Sequence, residues 1–156
     1  MRLRIAAVGR AKGGPEAALV SDYIKRTGKS GRPLGLGPVE LSEIDERKAQ
    51  GKAAQAEALR RACPDGAVLI ALDERGDTVT SPQFTDWIAK ARDSGAREVC
   101  FLIGGADGLD PALVAECRHV LSFGRLVWPH MLARAMLAEQ IYRATQILAG
   151  TPYHRV

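Results

Sequence analysis

The residues best suited to chemistry lie in two places, a glycine turn within the chain and a short tail at its end. The turn is Gly104-Gly105-Ala106-Asp107-Gly108. Three glycines in five positions let the backbone take positive φ and approach another group closely. Before it runs Val99-Cys100-Phe101-Leu102-Ile103, an unbroken apolar stretch of the kind a parallel strand buried on both faces needs. Asp110 and Pro111 follow, a good N-cap and a good first helical residue. Strand, turn and helix start in this order put the turn at the carboxyl end of a sheet, where open α/β folds bind ligands. An ordinary strand-to-helix turn has the same sequence. The tail sets Tyr153, His154 and Arg155 side by side. An aromatic ring can stack on a base, an imidazole can take a proton near neutral pH, and a guanidinium can pair with a phosphate. A terminal tail of this kind otherwise frays.

Other chemistries find little support. There is no GxxxxGK[ST] phosphate cradle, and GGADG does not match GxGxxG. No GxSxG elbow presents a serine nucleophile. Cys63, Cys100 and Cys117 are odd in number and lack CxxC spacing, and His119, His130 and His154 lack ligand spacing. The expectation is no metal. No apolar run approaches the roughly 20 residues of a membrane span, and Gly9-Arg10-Ala11-Lys12 cuts short the apolar opening, so the expected location is cytoplasmic, with no membrane.

Charge is unevenly placed. Residues 1–61 hold 13 Lys/Arg against 7 Asp/Glu, residues 62–117 hold 4 against 10, and residues 118–156 hold 5 against 1. Basic ends around an acidic middle suit a polyanionic partner such as nucleic acid, although a solvated surface gives the same count.

The elements that must position these groups read as alternating strands and helices. Strands are expected at Arg2–Val8, Val39–Ile44, Ala67–Leu72, Val99–Ile103 and Val120–Phe123. The third should stop at Asp73-Glu74-Arg75-Gly76. Helices are expected from about Ala17 to near Gly28, over Glu46–Ala62, Ser81–Asp93, Pro111–Cys117 and His130–Ala149. Lys29–Pro38, with three glycines and two prolines, reads as a loop free to move. The result is an α/β domain, a mainly parallel sheet with helices on both faces. Between Met131 and Leu148 the last helix has only Arg134, Glu139 and Arg143 as charges, and its apolar residues spread round the circumference. Such a helix is either central to the core or covered by a second subunit, and a homodimer is the expectation.

Five strings in fixed order carry a family resemblance: ALDERG (Ala71–Gly76), FLIGGADGL (Phe101–Leu109), LSFGRLVWPH (Leu121–His130), LAEQIYRA (Leu137–Ala144) and PYHR (Pro152–Arg155). Together with Ala7-Val8-Gly9-Arg10 and Tyr23-Ile24-Lys25-Arg26 they resemble the ribosomal RNA large subunit methyltransferase H family of the SPOUT superfamily. The resemblance spans nearly the whole chain. It implies one SPOUT-type methyltransferase domain over 1–156 with a C-terminal trefoil knot, a homodimer, and S-adenosyl-L-methionine as donor. It further implies methylation at N3 of a pseudouridine in 23S rRNA, within the large subunit or assembled ribosome. Many members have threonine where this chain has Val127, which keeps the shape but loses a hydroxyl hydrogen bond. Ser30–Pro38 is also unlike many members.

Carried over by position, the cofactor residues implied are Leu72, Gly104, Phe123, Gly124, Arg125, Leu126, Val127 and Trp128. Glycine at 104 and 105 is expected to remove Cβ where the cofactor approaches. For catalysis the chemistry of the tail points to His154, Tyr153 and Arg155, with His154 as proton acceptor or positioning group, in the same or the partner's site. Arg125, Arg134 and Arg155 are expected at phosphates. Two other readings remain: a non-catalytic ribosome-associated RNA-binding module, and a nucleotide-binding regulatory domain. Methyl transfer to rRNA excludes both.

Overall fold

The computed structural model describes residues 1–155. Its centre is a five-stranded, all-parallel sheet in the order β2-β1-β4-β3-β5. The strands are β1 (Arg2–Val8), β2 (Val39–Ile44), β3 (Val68–Asp77), β4 (Glu98–Ile103) and β5 (His119–Leu121). Between and after them come helices α1 (Pro15–Ser30), α2 (Lys52–Ala62), α3 (Ser81–Asp93), α4 (Pro111–Glu116) and α5 (His130–Leu148), with a 3-10 turn at Arg32–Leu34. β4 is the middle strand, paired with β1 on one side and β3 on the other, and all six of its residues are buried. The apolar run Val99–Ile103 is the consequence of having helices over both faces, and the one charged residue of the strand, the buried Glu98 at its start, is paired with Arg2 and Arg4.

Alternate residues supply the two faces. Ile5, Phe101 and Ile103 point to the layer that holds Val20 of α1, Phe84 and Ile88 of α3, and Leu137 and Ile141 of α5. Ala6, Val8, Cys100 and Leu102 meet Ala56 and Leu59 of α2 and Leu113 of α4. On its face α5 packs against both α1 and α3. Much of its apolar girth is therefore satisfied within one chain, as the central core helix of the two sequence readings.

Four boundaries differ from expectation, each for a local reason. α2 begins at Lys52, not Glu46, because the Asp45 carboxylate accepts the Arg47 amide at 3.0 Å and its carbonyl accepts Lys48 and Ala49. This side-chain turn competes with the helix that composition favours. α1 runs through Gly28 to Ser30 and stops at Gly31, where a Cβ would lie 2.7 Å from the Leu36 carbonyl oxygen. The segment after it is packed, not free: Leu36 is buried and its amide bonds the Gly31 carbonyl at 2.9 Å. β3 does not end at Leu72. It bulges through Asp73–Gly76 and returns at Asp77, so that Leu72 and Asp77 both pair with Leu121. β5 in turn ends at Leu121, because Ser122 leaves the ladder to bond this bulge.

Candidate functional site

Parallel strands deliver their carboxyl ends to one edge of the sheet, and there β3, β4 and β5 open into a cleft of about 250 Å³. Leu72, Asp73, Glu74 and Arg75 come from the bulge of β3, Ile103 to Gly108 from the glycine turn, and Phe123, Gly124, Leu126, Val127 and Trp128 from the loop after β5. His130 and Ala133 in the first turn of α5 complete the lining.

The glycine turn is made by the chain for itself. A Cβ on Gly104 would sit 2.6 Å from the Gly108 carbonyl carbon and 2.7 Å from the Leu109 nitrogen. One on Gly105 would meet Gln55, Glu46 and Val8, each at 3.2 Å. Gly104 is thus required by neighbouring backbone whatever the cleft holds, whereas at Gly105 the crowding atoms are side-chain ends that would have to give by a few tenths of an ångström. The Gly108 amide closes the turn on the Gly105 carbonyl at 2.9 Å, with Gly108 at φ +78°.

The loop after β5 is anchored at its root and open at its tip. The Ser122 hydroxyl lies 3.1 Å from the Glu74 carbonyl and 3.2 Å from that of Gly124, while the Ser122 amide donates to Asp77 at 2.9 Å. The arc Asp73–Asp77 is thereby closed against Leu121–Ser122. The Trp128 indole N–H donates to the Phe123 carbonyl at 3.4 Å. Beyond these anchors Leu126 is 71% and Val127 85% exposed, and Trp128 also faces solvent. At the acidic side of the cleft Arg75 clasps Asp73 through its amide at 2.9 Å and its Nε at 3.2 Å. Burial pushes the Asp73 carboxyl up, but the Arg75 bonds outweigh it and hold the group below the usual carboxylate range.

Seven of the eight cofactor positions expected from sequence line this one cleft: Leu72, Gly104, Phe123, Gly124, Leu126, Val127 and Trp128. Arg125 is exposed and does not line it. Tyr153, His154 and Arg155 are not brought to the cleft of their own chain. Arg134, expected at a phosphate, is 1% exposed and donates to Glu43 at 2.6 Å and to the Gly9 carbonyl at 3.0 Å. That expectation is corrected, because a buried guanidinium fixed to Glu43, to the Gly9 carbonyl and, at 3.4 Å, to the Val8 carbonyl has no reach to solvent.

The tail is docked, not frayed. Thr151 bonds Gln146, the Tyr153 ring lies edge-on to Tyr142 at 4.9 Å, and the Tyr153 hydroxyl donates to Glu139 Oε1 at 2.9 Å. Burial and this carboxylate raise the phenol, keeping it protonated. Arg143 stands over the Tyr153 ring at 4.9 Å and reaches His154 Nδ1 at 3.3 Å. Glu139 also lines a second cavity of about 510 Å³ that shares Phe123 and Gly124 with the cleft as a common wall. Sequence reasoning missed Glu139 and Arg143. Their i,i+4 spacing on a helix otherwise nearly free of charge was the available signal. Val156 lies outside the described residues.

Comparison with known proteins agrees with this geometry. The family model described as predicted SPOUT methyltransferase matches residues 1–154. Proteins named ribosomal RNA large subunit methyltransferase H are similar over their full length. The one from Dinoroseobacter shibae is 59% identical over all of both chains, that from Paracoccus denitrificans 58% over 99% of each, and that from Ruegeria sp. 52% over all of both. Among solved structures, a probable methylase family protein from Haemophilus influenzae shares the fold, with a TM-score of 0.51 at 12% identity over 99% of this chain and 70% of that one. The chain belongs to the ribosomal RNA large subunit methyltransferase H family of SPOUT methyltransferases.

Proposed function

We propose that this methyltransferase uses S-adenosyl-L-methionine to methylate N3 of a pseudouridine in 23S rRNA, acting on the large subunit or the assembled ribosome as a homodimer. One observation carries the reading: three parallel strand ends converge on a single cleft that gathers seven residues at the family's cofactor positions. The cleft suits that cofactor chemically. Leu72, Ile103 and Phe123 offer apolar contact to a flat base, and the backbone groups of the glycine turn offer donors and acceptors for its edge. Asp73, Glu74 and Asp107 supply negative charge for a cation that carries both an ammonium and a sulfonium. When bound there, the cofactor supplies an electrophilic methyl group.

This chain's own residues would hold and exclude. Leu126, Val127 and Trp128, exposed as they stand, would close over the apolar part of the ligand or against a second subunit. Because Tyr153, His154 and Arg155 lie away from their own cleft, the reading is that the tail serves the cleft of the partner. Aligning the acceptor nitrogen there can by itself lower the barrier by about 7–11 kcal/mol. For RNA contact the exposed Lys12, Lys25, Lys29, Arg32, Arg125 and Arg155 remain as phosphate partners. Arg2 and Arg4 are drawn to the buried Glu98 at 3.1 and 2.6 Å.

The test is transfer of labelled methyl from S-adenosyl-L-methionine to isolated large subunits and assembled ribosomes, with the modified nucleoside identified after digestion. Methyl on N3 of a pseudouridine is expected, with particle binding that weakens steeply as salt rises. Cofactor binding without any transfer to ribosomal RNA would overturn the substrate assignment.

A further inference from the structure

The contact between Arg143 and His154 fixes more than the position of the ring. Arg143 Nη1 lies 3.3 Å from His154 Nδ1. A guanidinium has five N–H donors and no acceptor, so Nδ1 accepts in this contact, and the neutral ring carries its proton on Nε2. Arg143 is itself held. Its Nε and Nη2 donate to Glu139 Oε1 at 3.1 and 2.7 Å, and both side chains are mostly shielded from solvent. Glu139 is fixed in turn by the Tyr153 hydroxyl at 2.9 Å and by Gln140 Nε2 at 2.7 Å. Arg143 therefore donates in two directions, to the Glu139 carboxylate that anchors it and to the imidazole that it orients.

We propose that Glu139 and Arg143 are positioning residues that hold His154 as the Nε2–H tautomer, making it a hydrogen-bond donor to a carbonyl oxygen of the acceptor base and not the base that removes its proton. The proposal rests on the acceptor assigned above. In a uracil-type ring N3 lies between two carbonyl groups. When the N3 proton leaves to solvent water, the negative charge is shared by N3 and both oxygens. A neutral N–H aimed at one oxygen stabilises that anion and leaves the nitrogen lone pair free to form the N3–methyl bond, which would form as the donor's sulfur–methyl bond breaks and its electron pair stays on sulfur as a neutral thioether. His154 has no free lone pair in this state, since Nδ1 is occupied by Arg143 and Nε2 bears hydrogen. A neutral histidine used as an electrophilic donor is established chemistry elsewhere.

The experiment pairs a structural readout with a kinetic one on the full-length protein. Long-range 1H–15N correlations assign the His154 ring, identified by its loss in His154→Gln. The wild type is expected to show protonated Nε2 and unprotonated Nδ1 in the neutral ring. Arg143→Met should mix the two tautomers and lower kcat about tenfold, as the loss of one well-placed hydrogen bond would. Cofactor affinity and the KM for ribosomal particles should stay within about twofold, the scale of a surface change. Arg143→Lys should restore part of both the tautomer and kcat. An Nδ1–H ring in the wild type overturns the proposal, and so does unchanged kcat in an Arg143→Met protein whose tautomer is lost. If Arg143→Met does not fold, the wild-type ring and Arg143→Lys decide. Failure of the wild type to methylate any ribosomal particle would instead overturn the acceptor assignment, with the ring spectrum still deciding the positioning.

Discussion

Two loops line the same cleft and are built on opposite principles. In the turn Gly104–Gly108 the backbone is packed against backbone, and Gly104, Gly105 and Leu109 are buried. In the segment Gly124–Pro129 the root is pinned by Ser122 and by the Trp128 indole, while Leu126, Val127 and Trp128 present apolar side chains to solvent. A fold gains nothing from exposing three such residues in sequence, whereas it cannot close the first loop without its glycines. Composition alone would rank the glycine turn as the ligand loop. Packing gives the Gly104 turn an architectural reason of its own, and leaves the apolar side chains of the other loop exposed.

The sharpest way to break this contrast is at Gly104. A valine there would drive its Cβ to 2.6 Å from the backbone of Gly108. Because backbone cannot move aside as a flexible side chain can, the expected cost is about 3 kcal/mol or more of stability. Equilibrium unfolding in urea, compared with wild type, reads it directly. A Gly104→Val protein of normal stability that had merely lost cofactor affinity would reverse the assignment and make the turn a ligand surface after all.

Next in size is Leu126→Ser together with Val127→Ser. These side chains are exposed, so stability should change by no more than about 0.5 kcal/mol. Calorimetry with S-adenosyl-L-methionine should show affinity weakened about tenfold, equivalent to ~1.4 kcal/mol. Unaltered affinity combined with a shift from dimer to monomer in sedimentation would show that the loop is covered by a subunit instead.

The same contrast explains what could be read in the sequence. β4 was legible because a strand buried on both faces favours an unbroken apolar run, which Val99–Ile103 supplies, while the buried Glu98 before it was not, since its partners Arg2 and Arg4 lie far away in sequence. The strand-end positions of the cleft were legible from turn chemistry and from family resemblance. The knot came from resemblance alone. α2 was misjudged at its start because the Asp45 carboxylate captures the following amides, a competition that propensity does not score. Arg134 was misjudged because its partner Glu43 is 91 residues away, and nothing local marks a guanidinium as buried. The tail was half legible. Its residue types suggested nucleotide chemistry, but the chain reversal at Gly150 that lays His154 beside Arg143 is a tertiary event.

The smallest effect concerns the third wall of the cleft, where Asp73 is clasped by Arg75. Asp73 has its carboxyl held below the ordinary range, which is about 3.9 for a free aspartate. For a group depressed on folding, the stabilising contribution is complete above the unfolded value and is lost as pH falls through the folded one. The charge should therefore persist through mildly acid conditions, and affinity for a cationic ligand should stay flat from neutral pH down to about pH 5, more than a unit above the free-aspartate value. Arg75→Met removes the side-chain bonds and leaves burial, which acts in the opposite direction and raises the carboxyl. In that variant affinity should begin to fall at a higher pH than in wild type, by a factor of a few, while binding at pH 8 is close to normal. Calorimetric titrations of both proteins at several pH values measure this. A parallel pH dependence in the two would remove Asp73 from the ligand side of the cleft and leave the exposed loop as its principal contact.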